Sequence, residues 1–136
     1  MITDRPEGRT DDPPFLDEIF VLLDRFLVDV ENGWPGNRWL RSMPGMEVYV
    51  RQNLHSLPEG NFVMLDIANV GVTETGRGTF TRFLDRLEAL RLLDWIYLEN
   101  VHDERHVRFY QRRGYHLRPR RVPEFECDNL YCLWRK

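Results

Sequence analysis

The chain has 136 residues, enough for one domain with a sizeable core, and its 42% apolar and 30% charged content is that of a globular protein. No run approaches the ~20 consecutive apolar residues of a membrane-spanning helix, and the opening MITDRPEGRTDD lacks the apolar stretch of a secretory signal, so a cytoplasmic protein with no membrane partner is expected. Net charge is only −3, but residues 1–31 hold nine acids against three arginines and residues 105–136 hold nine basic residues against three acids; the basic part suits an anionic ligand or a solvated face.

Residues 1–14 are polar, acidic and proline-containing, and read as a loosely attached segment. Residues 15–136 read as a single domain. Phe15, Ile19, Leu22, Leu23, Phe26, Leu27 and Val30 fall on one helix face, with Asp12 or a neighbour as cap and Asn32-Gly33 as the stop. Trp34–Pro44 reads as a loop with a short helical turn at Asn37–Ser42. Its tryptophans either anchor the loop or wall a substrate pocket. Met46–Leu54 and Asn61–Val70 read as a hairpin turning at Pro58-Glu59-Gly60.

The next stretch organises the rest. Asn61–Val70 is a β-branched and apolar run broken by Asp66, Gly71–Gly78 is a Gly- and Thr-rich loop, and Phe80, Phe83, Leu84, Leu87 and Leu90 give one face of a helix over Thr79–Leu93. A helix N-terminus presents free N–H groups and a positive dipole end. With Gly76-Arg77-Gly78-Thr79 at that point, the ligand class is a phosphate or pyrophosphate. The P-loop pattern fails because Arg77-Gly78 stands where Lys-Ser/Thr is required, and the dinucleotide pattern fails because no third glycine follows Gly78.

Asp94–Val101 reads as a strand parallel to Asn61–Val70, followed by a helix capped by Asp103 and stopped by Gly114. Tyr115–Arg118 and Leu130–Arg135 close the sheet, linked by a long loop. Cys127 and Cys132 have no histidine at metal spacing, so free thiols and no metal are expected.

These stretches resemble the GNAT family of acyl-CoA-dependent N-acetyltransferases, in a form similar to small phage-encoded members. Thr75-Gly76-Arg77-Gly78-Thr79-Phe80 matches that family's phosphate loop, [QR]-x-x-G-x-[GA], in part. Asp103–Tyr115, ending FYQRRGY, matches the following helix motif. Thr75, Phe80, Asp103 and His106 depart from the pattern.

The resemblance implies an α/β fold: a mixed, mostly antiparallel sheet with a splayed parallel strand pair and helices on both faces. It implies acetyl-CoA as co-substrate and direct attack by a primary amine of an unidentified acceptor. Ile67, Asn69, Val70 and Asn100 would hold the pantetheine arm and thioester; Thr75, Gly76, Arg77, Gly78, Thr79 and Phe80 would hold the pyrophosphate; Tyr110 would protonate the leaving thiolate. Homodimers are frequent among family members of this size. Asp66, an acid in an apolar strand, is the first candidate for the general base, followed by Glu99, His102 and His106. The alternative is an inactive fold of the same type that binds a protein or a nucleic acid. A nucleic-acid role would use Arg105–Arg121, but the net charge is negative and no known binding motif is present.

Overall fold

A computed structural model describes residues 12–90, 95–118 and 128–133. The order is α1 (Pro14–Glu31), β1 (Asn37–Ser42), β2 (Met46–Leu57), β3 (Gly60–Val72), α2 (Thr79–Leu90), β4 (Trp95–Val101), α3 (Glu104–Arg112), β5 (His116–Arg118) and β6 (Asp128–Leu133). The long loop between β5 and β6, the segment before Asp12, and Cys127 lie outside the described residues.

Helix α1 starts with Pro14 in its first turn, where a missing N–H costs nothing. Pro13 holds the N-cap position without a side-chain cap, so Asp12 does not cap the helix. Leu16, Ile19, Phe20, Leu23 and Phe26 are its buried stripe. Gly33, at φ +96°, takes the left-handed conformation that turns the chain away.

The helical turn expected at Asn37–Ser42 is a strand instead. β1 pairs antiparallel with β2 from Asn37↔Arg51 to Ser42↔Met46. Period-2 burial explains it: Leu40 is buried on one face, while Trp39 packs its ring 5.2 Å from Tyr49 on the other. Four polar residues among six hid that alternation.

β2 and β3 pair from Met46↔Val72 to Leu57↔Gly60, leaving Pro58-Glu59 as the hairpin loop. The register shifts by one residue at Tyr49/Val50, so Ala68 stands unpaired as a bulge. β3 and β4 pair in parallel only at Leu65↔Ile96, Asp66↔Tyr97 and Ile67↔Leu98. Beyond that point they part. β4 also bends against β6, where Glu99 and Asn100 together oppose Asn129. Asn100 adopts φ +58°, and its N–H donates to Asn129 Oδ1 at 2.9 Å.

The sheet order is β1-β2-β3-β4-β6-β5, and β3/β4 is its one parallel pair. The fold is thus mixed α/β with a mostly antiparallel sheet. Helices were expected on both faces, but the three described helices share one. Phe20 of α1 meets Phe83 of α2 at 5.3 Å, and Phe80 of α2 meets Tyr110 of α3 at 6.3 Å. Beneath them lie Val48, Val50, Leu65, Ile67, Ile96 and Leu98. The opposite face carries a smaller cluster of Leu57, Met64, Tyr97 and Tyr131 and a polar network next to it. No helix among the described residues is long and apolar enough to cross a membrane.

Candidate functional site

The parting of β3 and β4 opens a cleft of about 610 Å³. One wall is Ile67–Val70 and the other Leu98–Val101; Phe80 completes it from the start of α2, and His102, Asp103, His106 and Tyr110 from α3 and the residues that lead into it. Two extended strand ends that diverge expose backbone N–H and C=O groups lacking a strand partner. An amide-bearing chain laid between them can take up those groups.

Asp103 fixes the start of α3, its Oδ1 accepting from the N–H of Arg105 at 2.8 Å. The neighbouring guanidinium and the N–H hold its carboxyl below the usual range. Tyr110 sits two turns along, 8% exposed, within a cage of Phe80, Phe109 and Tyr115. Burial pushes its phenol above the usual tyrosine value, with Arg113 opposing weakly. It therefore stays a proton donor at neutral pH.

In the loop before α2, Gly76 and Gly78 adopt φ +76° and +69°, values open mainly to glycine. The C=O of Gly78 accepts from the N–H of Arg82 at 3.0 Å and so starts α2. The N–H groups of the first turn, from Thr79 on, have no partner within the helix. The loop is tied down at its start: the N–H of Thr73 donates to the C=O of Gly45 and Thr73 Oγ1 accepts from the N–H of Gly45, both at 2.9 Å. Arg77 is exposed, 3.9 Å from Glu74. Beside this loop a second hollow of about 400 Å³ is lined by Thr79, Arg77, Arg82, Phe15 and Pro44 among others. The ring of Phe80 is turned inward, 5.8 Å from Phe83, so it packs the cleft floor rather than the loop.

The first-choice base, Asp66, does not face the cleft. It is 0% exposed and lies on the face of the sheet opposite the helices, hydrogen-bonded to the Glu99 carboxyl. Glu99 does face the cleft. Arg51 Nη1 donates to its Oε1 and Oε2 at 2.8 and 2.9 Å. Burial, and then the Asp66 carboxyl, push Glu99 up to about 7 against the opposing pull of Arg51. His102 and His106 line the cleft but are exposed. Ile67, Asn69, Val70, Phe80, Asn100 and Tyr110 are brought together in the cleft, whereas Arg77 and Thr79 line the second hollow and Gly76 and Gly78 lie in the loop before α2.

The sequence reading missed Arg51, Asn53 and His55. Their signal was legible: three polar side chains at alternate positions of one strand, opposite the lone acid of the next. Arg118 joins them from β5. Among the described residues no group of three or more potential ligands could hold a metal ion.

No family model matches the chain, and no curated protein matches it. Among solved structures, one similar chain is a mutant AtaT toxin bound to the C-terminus of the antitoxin AtaR and to acetyl-CoA. The TM-score is 0.44 at 10% identity; the match covers 65% of this chain and 58% of that one, so it spans less than two thirds of that protein.

Proposed function

We propose that the chain is an N-acetyltransferase that moves an acetyl group from acetyl-CoA to a primary amine by direct attack in a ternary complex. The observation that carries this reading is the cleft between β3 and β4, with a carboxyl of raised proton affinity on the β4 wall and the buried phenol of α3 lining it. The strand ends at Ile67–Val70 and Asn100 would bond the pantetheine arm and polarise the thioester carbonyl. The pyrophosphate would lie on the first turn of α2, with the N–H groups from Thr75 to Phe80 around it and Arg77 adding charge.

An amine is protonated at neutral pH and must lose a proton to attack. Glu99, poised at about 7, is matched to that task. Glu99 takes the first ammonium proton and passes it to solvent, the N–C bond forms as the C–S bond breaks, and the thiolate takes a proton from Tyr110. The second amine proton, released as the amide forms, restores Tyr110 through water. Both proton carriers lie in the cleft, so no group need move between the two steps.

The test is release of free CoA thiol from acetyl-CoA across a panel of primary amines. Amine-dependent release, reduced about 100-fold by Glu99→Gln and by Tyr110→Phe, is expected. Release at the wild-type rate in either variant would overturn the role assigned to that residue.

A further inference from the structure

The acyl-transfer reading uses Glu99 and Tyr110 and leaves one buried charged cluster without a task. Asp66 has no exposed surface, and both its oxygens lie close to His55 Nε2, at 2.8 and 2.9 Å. Asn53 Nδ2 donates to its Oδ2 at 3.2 Å. On the far side of the imidazole, Arg118 Nη1 stands 3.4 Å from Nδ1. A guanidinium nitrogen only donates, so Nδ1 must be the accepting nitrogen and the ring proton sits on Nε2, aimed at Asp66. Arg118 is itself fixed, donating to the Tyr97 hydroxyl at 2.9 Å and to the Ser56 carbonyl at 3.1 Å. The His55 ring lies flat on Tyr97, centroids 3.8 Å apart and 13° from parallel.

The charged and polar groups around the two carboxyls are therefore all of one pattern. Arg51 of β2 faces Glu99; Asn53 and His55 of β2 face Asp66; Tyr97 of β4 and Arg118 of β5 face His55. Asp66 receives the His55 and Asn53 donors, and it is hydrogen-bonded to the Glu99 carboxyl, whose proton affinity it raises.

We propose that Arg118, His55 and Asp66 form a positioning chain behind Glu99: Arg118 fixes the His55 tautomer, His55 holds the Asp66 carboxyl in place, and that carboxyl, beside Glu99 on the same face, fits Glu99 to take up a proton in the cleft. Its use in catalysis rests on the acyl-transfer reading; the arrangement of the chain does not.

The test uses the full chain with no ligand. The ¹³C shift of the Glu99 carboxyl and the ¹⁵N shifts of the His55 ring are followed with pH in the wild type, His55→Phe and His55→Gln. Phenylalanine keeps a ring on Tyr97 and removes the donor; glutamine gives up the ring and keeps an N–H donor. The wild type should show Nε2 protonated and Nδ1 bare. In His55→Phe the Glu99 midpoint should fall by about one pH unit, and His55→Gln should restore most of that. An unchanged midpoint in His55→Phe, or equal shifts in both variants, would overturn the proposal. So would a wild-type ring carrying its proton on Nδ1, a reading available even if a variant does not fold. Because acetyl-CoA is absent, failure here is separable from failure of the acyl-transfer reading.

Discussion

Glu99 and Asp66 are hydrogen-bonded carboxyls on the parallel strand pair β3/β4, and of the two it is Glu99 that lines the cleft. Two acids so close cannot both ionise freely, and the environment decides which gives way. The rate should follow that choice. With a saturating amine, the acid limb of kcat should fall off below about pH 7, where Glu99 is protonated. Glu99→Gln should lower kcat about 100-fold and abolish that limb. A limb that persists in the variant would assign it to another group.

The same carboxyl makes stability depend on pH. Its folded value, about 7, lies above the ordinary 4.5, so the native state holds an extra proton between those values. Its contribution is fully present below about pH 4.5 and is lost as pH rises through about 7. Between pH 5 and 8 the wild type should therefore lose roughly 2–5 °C more in melting temperature than Glu99→Gln. Parallel melting curves for the two proteins would contradict it.

In the proposed reaction Tyr110 would donate where the thiolate departs. Removing its hydroxyl leaves the aromatic cage of Phe80, Phe109 and Tyr115 intact. Tyr110→Phe should then keep its melting temperature within about 2 °C and lose about 100-fold in kcat with little change in KM. A large rise in KM instead would make the hydroxyl a binding group.

Phe83 joins the helical layer together. It is fully buried, and its ring meets both Phe20 of α1 and Phe80 of α2. Phe83→Ala should cost about 3–5 kcal/mol in denaturant unfolding. A loss below about 1 kcal/mol would mean that α1 and α2 do not share one core.

The elements with strong periodicity were legible in the sequence. The span of α1, the run of β3, the start of α2 after Gly78, and the Asp103 cap with its Gly114 stop all appear where patterning put them, although the buried stripe of α1 also takes in Leu16 and Phe20 and leaves Leu22, Leu27 and Val30 only partly buried. β1 was not, because its alternation rests on Trp39 and Leu40 between arginines, and only pairing with β2 makes a strand of it. The cleft residues Ile67, Asn69, Val70, Asn100 and Tyr110 could be named from the resemblance. The ranking of the bases could not. Asp66 stood out as the lone acid in an apolar run, but whether an acid in a strand faces a cleft or a buried histidine depends on register. The parting of β3 and β4, which opens the cleft beside Glu99, is set by pairing between distant segments.

The central claim is that acetyl-CoA lies in the β3–β4 cleft with its pyrophosphate on α2, and a thermal-shift titration tests it most directly. Acetyl-CoA and desulfo-CoA at ~100 times their Kd should each add ~2.7 kcal/mol of stability, ATP should not match them, and Gly78→Trp should remove the effect. No shift at millimolar acetyl-CoA, or an equal shift in Gly78→Trp, would contradict the account.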